Sequence, residues 1–295
     1  MQAVHYICPA VTPMNPDLTI DYDSLGSLYE HLIRGSVDGI LLLGSIGEFF
    51  GFDQETKKEL ITEAVRIVDH RVPLYVGATS MVVEEIIDLS CHALQTGADA
   101  VVVIPPYYFH FDDSSVFSYY DMLADRIPGN MFLYNFPDRT GYEIAPRVVR
   151  DLALKHANII GIKDTIGGLD HTREIIKAVK PLRPDFLVYS GFDDNFAHNV
   201  LCGGNGCIAG ISNLYPKLTS AWVKAIASGD LQETQRIQQI IDRLMDIYRV
   251  GKPFIPFIKN ALVQEGIIAS AAATLPMPEV TQAQADRLQE IMGIL

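Results

Sequence analysis

Ile159-Ile160-Gly161-Ile162-Lys163-Asp164 is an apolar run that closes on a lysine and an acid. A short, continuous apolar run of this kind reads as a strand buried on both faces, as in a parallel sheet. A lysine at its end has to leave water. Burial disfavours the charged form of an amine, and a neutral amine at pH 7 is a nucleophile toward carbonyl carbon. The plainer alternative is a strand-end lysine that snorkels to solvent and pairs with Asp164. The rest of the chain decides between the two.

Seven similar runs accompany it, at residues 6–8, 39–43, 74–76, 100–104, 131–134, 187–190 and 207–209, with amphipathic stretches such as 22–33, 54–68, 83–96 and 168–179 between them. Alternating strand and helix signals predict βα units and a parallel sheet. Eight units within about 230 residues predict a (β/α)8 TIM barrel. The rival is a doubly wound open sheet, but no strand is followed by the glycine fingerprint of a dinucleotide site. Beyond about Asp230 the strand signal stops, and 231–248 and 282–291 read as helices. The expected organisation is a catalytic barrel over residues 1–229 and a helical C-terminal region, 230–295, packed on it.

Composition narrows the function classes. The chain has 295 residues, 48% of them hydrophobic, enough for one large core. Its 23 Lys and Arg against 36 Asp and Glu give a formal charge of −13, which repels nucleic acid and anionic membrane surfaces. No apolar run approaches the roughly 18 residues of a spanning helix, and the N-terminus lacks the charge and apolar pattern of a signal peptide, so a cytoplasmic protein is expected. Cys8, Cys91, Cys202 and Cys207 show no paired spacing, and the eight histidines form no ligand set, so neither metal nor disulfide chemistry is expected.

In a barrel of this kind chemistry gathers at the C-terminal ends of the strands. After the second run comes Gly44-Ser45-Ile46-Gly47-Glu48, a turn whose backbone N–H groups can cradle a carboxylate. After the fourth comes Pro105-Pro106-Tyr107-Tyr108, and the fifth leads into Tyr134-Asn135-Phe136-Pro137-Asp138-Arg139. The seventh is followed by Gly191-Phe192-Asp193-Asp194, and the eighth spans Gly206-Cys207-Ile208-Ala209-Gly210. Glycines in these last loops are common phosphate holders, but no lysine or arginine accompanies them, which favours close backbone approach to a small ligand and argues against pyridoxal phosphate on Lys163.

Taken in order, Gly44-Ser45-x-Gly47-Glu48, Tyr134-Asn135-x-Pro137, Gly161-Ile162-Lys163-Asp164 and Gly191-x-Asp193-Asp194 resemble the signature of the dihydrodipicolinate synthase and N-acetylneuraminate lyase family. The resemblance spans essentially the whole chain and implies a homotetrameric class I lyase or aldolase that uses pyruvate and needs no cofactor. It implies that Lys163 forms an imine with the 2-oxo acid, that Tyr134 is the general acid and base, and that Ser45 and Tyr108 relay the proton, Tyr108 from a neighbouring subunit. It places the pyruvate carboxylate on the N–H groups of Ser45 and Ile46 in the turn that Gly47 closes. Gly191 would lie along the ligand and Ile208 would wall the pocket.

Two departures bear on the substrate. The synthases carry a second hydroxyl residue where this chain has Ile46, a lost hydrogen bond worth on the order of 1–3 kcal/mol if nothing replaces it. That turn resembles aldolases of 2-keto-3-deoxy sugar acids or 4-hydroxy-2-oxo acids. Arg139 points the other way, since it falls where the synthases bind the carboxylate of aspartate semialdehyde. The lysine feedback site of bacterial synthases is replaced by Phe49, Phe50 and Met81, so no inhibition by lysine is expected. The expected activity is cleavage of a 2-keto-3-deoxy sugar acid or 4-hydroxy-2-oxo acid, with the synthase reaction as the alternative and a barrel that senses a 2-oxo acid as the non-enzymatic one.

Overall fold

The structure, a computed structural model, describes residues 3–293. Eight parallel strands close on themselves in sequence order: β1 (His5–Pro9), β2 (Ile40–Leu42), β3 (Leu74–Gly77), β4 (Ala100–Val103), β5 (Met131–Asn135), β6 (Ile159–Asp164), β7 (Leu187–Ser190) and β8 (Gly206–Ile208). β1 pairs with both β2 and β8, so the open-sheet alternative is excluded and the chain is a (β/α)8 barrel. All eight predicted strands are present, with ends shifted by no more than two residues.

Strand alternation sorts the core into two layers. Ala100 and Val102 point into the barrel with Ile7, Leu41, Phe132, Tyr134, Tyr189 and Ile208, whereas Val101 and Val103 pack outward under the helices. The helices carry their own start signals. Asp21, Asp53 and Asp112 each accept a backbone N–H at the head of Tyr22–Arg34, Gln54–Val68 and Asp113–Arg126.

The tail departs slightly from expectation. The predicted helix 231–248 ends at Leu244 and passes into a tighter turn, Met245–Arg249, which brings Tyr248 against Asp193. Helix Leu231–Leu244 packs on Pro216–Ser228, and helices Ile255–Gln264 and Gln282–Met292 pack on each other. Among the described residues no helix is long and apolar enough to cross a membrane.

The β5–β6 pair is fixed from outside the barrel. Tyr134 pairs with Lys163 and Asn135 with Asp164, so the second pair faces the helices. Asp164 is buried and accepts from Asn135 Nδ2 at 2.7 Å and Thr172 Oγ1 at 2.5 Å. Asn135 Oδ1 in turn accepts the N–H of Ile144. His171 completes the network, with Nδ1 3.0 Å from Asp164 and Nε2 3.0 Å from the carbonyl of Ile144. Both ring nitrogens face acceptors, which an imidazolium satisfies and a neutral ring does not. Burial works against that charge, but the Asp164 carboxylate outweighs it and raises the His171 pKa above the ordinary histidine value.

The sign of the pH dependence follows. A raised folded-state pKa gives stability that is complete below the unfolded value of about 6.5 and is lost as pH climbs through the folded one. The urea midpoint of the wild type should therefore exceed that of His171→Asn most at pH 6, and the gap should narrow toward pH 9. A gap independent of pH would contradict the ion pair.

Candidate functional site

Tyr134, Lys163 and Tyr189 stand side by side in register on β5, β6 and β7. Lys163 is only 4% exposed, and its Nζ lies 4.6 Å from the centre of the Tyr134 ring. Among the described residues Lys163 makes no ion pair, and Asp164 is turned to the outer face. The snorkelling alternative is therefore not realised. Tyr189 sits beside the lysine with its hydroxyl 2.8 Å from His5 Nδ1, toward the opposite end of the barrel. Gly161, two residues before Lys163, makes room within the barrel, since a Cβ there would lie 2.5 Å from the Phe132 ring.

The Tyr134 hydroxyl is 3.3 Å from Ser45 Oγ, which brings β2 into the same constellation. The turn after β2 is built otherwise than its glycines suggest. Its left-handed positions are Leu43, at φ 53°, and Glu48, at φ 57°, and neither Gly44 nor Gly47 has positive φ. Gly47 is needed for proximity instead: a Cβ would lie 3.0 Å from the carbonyl of Ala10 and from the N–H of Leu43. Thr12 Oγ1 donates to the Gly47 carbonyl at 2.8 Å. Among the described residues, the N–H groups of Ser45 and Ile46 donate to no protein acceptor.

Ile46 packs sideways onto the turn after β8, at Gly210. A Cβ on Gly210 would lie 2.8 Å from Ile46 Cδ1 and 2.6 Å from the Tyr248 hydroxyl. The Ile46 side chain thus fills space, and its backbone N–H is left without a protein acceptor among the described residues. Ile208 is fully buried in the interior layer with Tyr134.

Gly191 serves its neighbour. A Cβ there would fall 1.8 Å from Thr165 Oγ1, and that buried hydroxyl has no hydrogen-bond partner among the described residues. Thr165 continues the β6 ladder through its N–H to Asn135, so it shares the inward face of Lys163. Its two-residue offset from the lysine was the available signal, and the sequence reading overlooked it.

Asp193, in the motif that follows β7, is a buried structural anchor. It accepts from Tyr6, from Tyr248 at 2.8 Å and from the N–H of Ile211 at 2.9 Å, while burial pushes its carboxyl pKa up. Arg139 is exposed, with its guanidinium 5.0 Å from the Phe136 ring, which stacks at 6.0 Å on Tyr134. No acidic side chain pairs with it among the described residues. Tyr108 stands apart from this constellation: it is 86% exposed, at φ 82°, and packs edge-on against Phe109. The sequence reading also gave no role to Lys259 and Thr274, which hold Glu48 from the C-terminal region. A lysine within the apolar run Ile255–Gln264 was the clue to the first.

Known proteins share this architecture over the full chain. The model of the dihydrodipicolinate synthetase family matches residues 3–294. YagE of Escherichia coli K12, provisionally named a 2-dehydro-3-deoxy-D-gluconate aldolase, is 35% identical over 97% of this chain and 95% of its own. YjhH of the same strain, provisionally named a 2-dehydro-3-deoxy-D-pentonate aldolase, is 35% identical over 98% and 97%. A 4-hydroxy-tetrahydrodipicolinate synthase of Kosmotoga olearia is 32% identical over 96% and 95%. The crystal structure of YagE in complex with pyruvate superposes with a TM-score of 0.95 at 34% identity, covering 100% of this chain and 98% of that one. With a closed barrel, a buried lysine beside a tyrosine and a match from end to end, the chain belongs to the dihydrodipicolinate synthetase family.

Proposed function

We propose that this chain is a class I aldolase that cleaves a 2-keto-3-deoxy sugar acid, or a related 4-hydroxy-2-oxo acid, into pyruvate and an aldehyde. One observation carries the reading: a buried amine with no acid paired to it, 4.6 Å from a tyrosine ring whose hydroxyl reaches Ser45. The Lys163 nitrogen attacks the C2 carbonyl, water leaves, and a protonated imine forms. Tyr134 takes the proton of the C4 hydroxyl and passes it along Ser45. The C3–C4 bond breaks, its electron pair moves into the imine, and the aldehyde departs. Protonation at C3 and hydrolysis then return pyruvate and the free amine.

The carboxylate of the 2-oxo acid sits on the N–H groups of Ser45 and Ile46, beside Gly47, where no protein group competes for them. Ile208 closes the floor. Gly191 leaves the Thr165 hydroxyl free, and an unpaired buried hydroxyl favours a substrate with hydroxyl groups of its own, since an unsatisfied polar group costs about 1–3 kcal/mol. The names of YagE and YjhH, and the pyruvate bound to YagE, support the same substrate class. Arg139 favours a second reading, synthesis from pyruvate and aspartate semialdehyde, because its exposed guanidinium pairs with no acidic side chain among the described residues. The reading includes a cytoplasmic homotetramer in which the exposed Tyr108 completes the relay of a neighbouring subunit. It also takes residues 1–229 as the catalytic barrel and 230–295 as the region packed on it.

Borohydride with pyruvate should attach one three-carbon unit to Lys163, and Lys163→Ala should remain unmodified; an unmodified wild type would favour a sensing barrel. Tyr134→Phe should lower kcat by roughly 10²–10⁴ in a pyruvate-release assay while the protein stays folded. Across aspartate semialdehyde, 2-keto-3-deoxygluconate, 4-hydroxy-2-oxoglutarate and N-acetylneuraminate, the highest kcat/KM should fall on the second or third. Turnover of the first at an ordinary enzyme rate would establish the synthase reading instead. Lysine at low millimolar concentration should leave the rate unchanged, because exposed Phe50 and Met81 offer its polar ends no partner.

A further inference from the structure

Glu48 ends the turn of Ser45 and Ile46 with a side chain that is wholly buried. Its Oε1 lies 2.5 Å from Lys259 Nζ, and its Oε2 accepts from the Thr274 N–H at 2.7 Å and from Thr274 Oγ1 at 2.9 Å. Lys259 also donates to the carbonyl of Ala272 at 2.7 Å, so one ammonium ties the helix Ile255–Gln264, the segment 272–274 and the turn together. At φ 57° Glu48 occupies a left-handed conformation that a side-chain-bearing residue keeps only when its surroundings over-determine it. Its backbone closes the turn on both sides, through its N–H to the Ser45 carbonyl at 3.3 Å and its carbonyl to the Gly51 N–H at 2.9 Å. Gly51 lies directly against the clamp, since a Cβ there would be 2.1 Å from Thr274 Cγ2.

We propose that Lys259 and Thr274 are positioning residues for the reaction: through Glu48 they hold the Ser45–Ile46 N–H pair at the geometry that receives the substrate carboxylate, which makes the C-terminal region a working part of the site. The proposal rests on the aldolase reading above. Neither residue touches the reacting atoms. Their effect is on affinity for the 2-oxo acid, because the turn supplies the carboxylate donors, whereas Lys163 and Tyr134 are carried by other strands. A contact that served stability alone would lower the folded fraction and leave the half-saturating pyruvate concentration of the remaining protein untouched.

The test is borohydride trapping of the full-length protein over a range of pyruvate concentrations, with thermal melts alongside. Thr274→Val, which removes one donor to Glu48 and keeps its N–H, should raise the half-saturating pyruvate concentration roughly three- to tenfold, with the maximal trapping rate within about twofold of wild type. Thr274→Ser, which keeps the hydroxyl, should restore the wild-type value. Glu48→Gln combined with Lys259→Met, which removes both buried charges together, should behave as Thr274→Val does. An unchanged half-saturation in folded Thr274→Val, a loss confined to the maximal rate, or failure of both altered proteins to fold would each overturn the assignment. If the wild type itself is not trapped by pyruvate, the aldolase reading fails and takes this assignment with it, whereas a trapped wild type with an unchanged Thr274→Val overturns this assignment alone.

Discussion

The pairing of β5 with β6 carries the site, because one register decides two faces at once. With Tyr134 opposite Lys163 inside the barrel, Asn135 and Asp164 are necessarily opposite each other outside it. A slip of one residue would send the lysine toward the helices and bring an acid into the interior. The outer pair guards against that slip, since Asp164 is engaged by Asn135, His171 and Thr172 together, and Asn135 also reaches Ile144. Two residues suited to covalent and proton chemistry are thus held from behind by two that face the helices.

This division of labour recurs around the barrel mouth. Asp193 gathers β1, the turn at Ile211 and Tyr248 into one buried knot, and Tyr248 in turn lies against Gly210, across from Ile46. Gly191 is small so that Thr165 fits, and Gly161 is small so that Phe132 fits. The glycines at the strand ends serve close approach more than backbone freedom, and the left-handed positions of the β2 turn fall to Leu43 and Glu48.

The barrel was legible in the sequence because strands buried on both faces give continuous apolar runs, and eight such runs leave few arrangements open. Lys163, Tyr134 and Ser45 were legible for a related reason: each lies at or just beyond the C-terminal end of a strand, and these ends of a parallel barrel share one rim. The outer supports were not. His171 lies seven residues beyond Asp164 on a helix, Tyr248 is 55 residues beyond Asp193, and Thr274 is 226 beyond Glu48. Contacts of such separation leave no periodicity to read, and a polar residue that pairs only in the fold looks like any other polar residue before it. The direction of Ile46 was hidden for the same reason, since it depends on a bare backbone at Gly210.

The buried pair of Glu48 and Lys259 shows why such supports belong to the argument about function. Taking a carboxylate and an ammonium out of water costs several kcal/mol per ion, and replacing such a pair by packed apolar side chains is often neutral or stabilising. Stability alone is therefore a weak reason for its presence. Geometry is a stronger one: an apolar pair would fill the space but would leave the Thr274 N–H and hydroxyl and the Ala272 carbonyl without partners, and no side-chain hydrogen bond would hold the backbone at position 48 left-handed. The charges give direction where packing gives only volume, and direction is what two backbone N–H groups need if they are to meet both oxygens of one carboxylate.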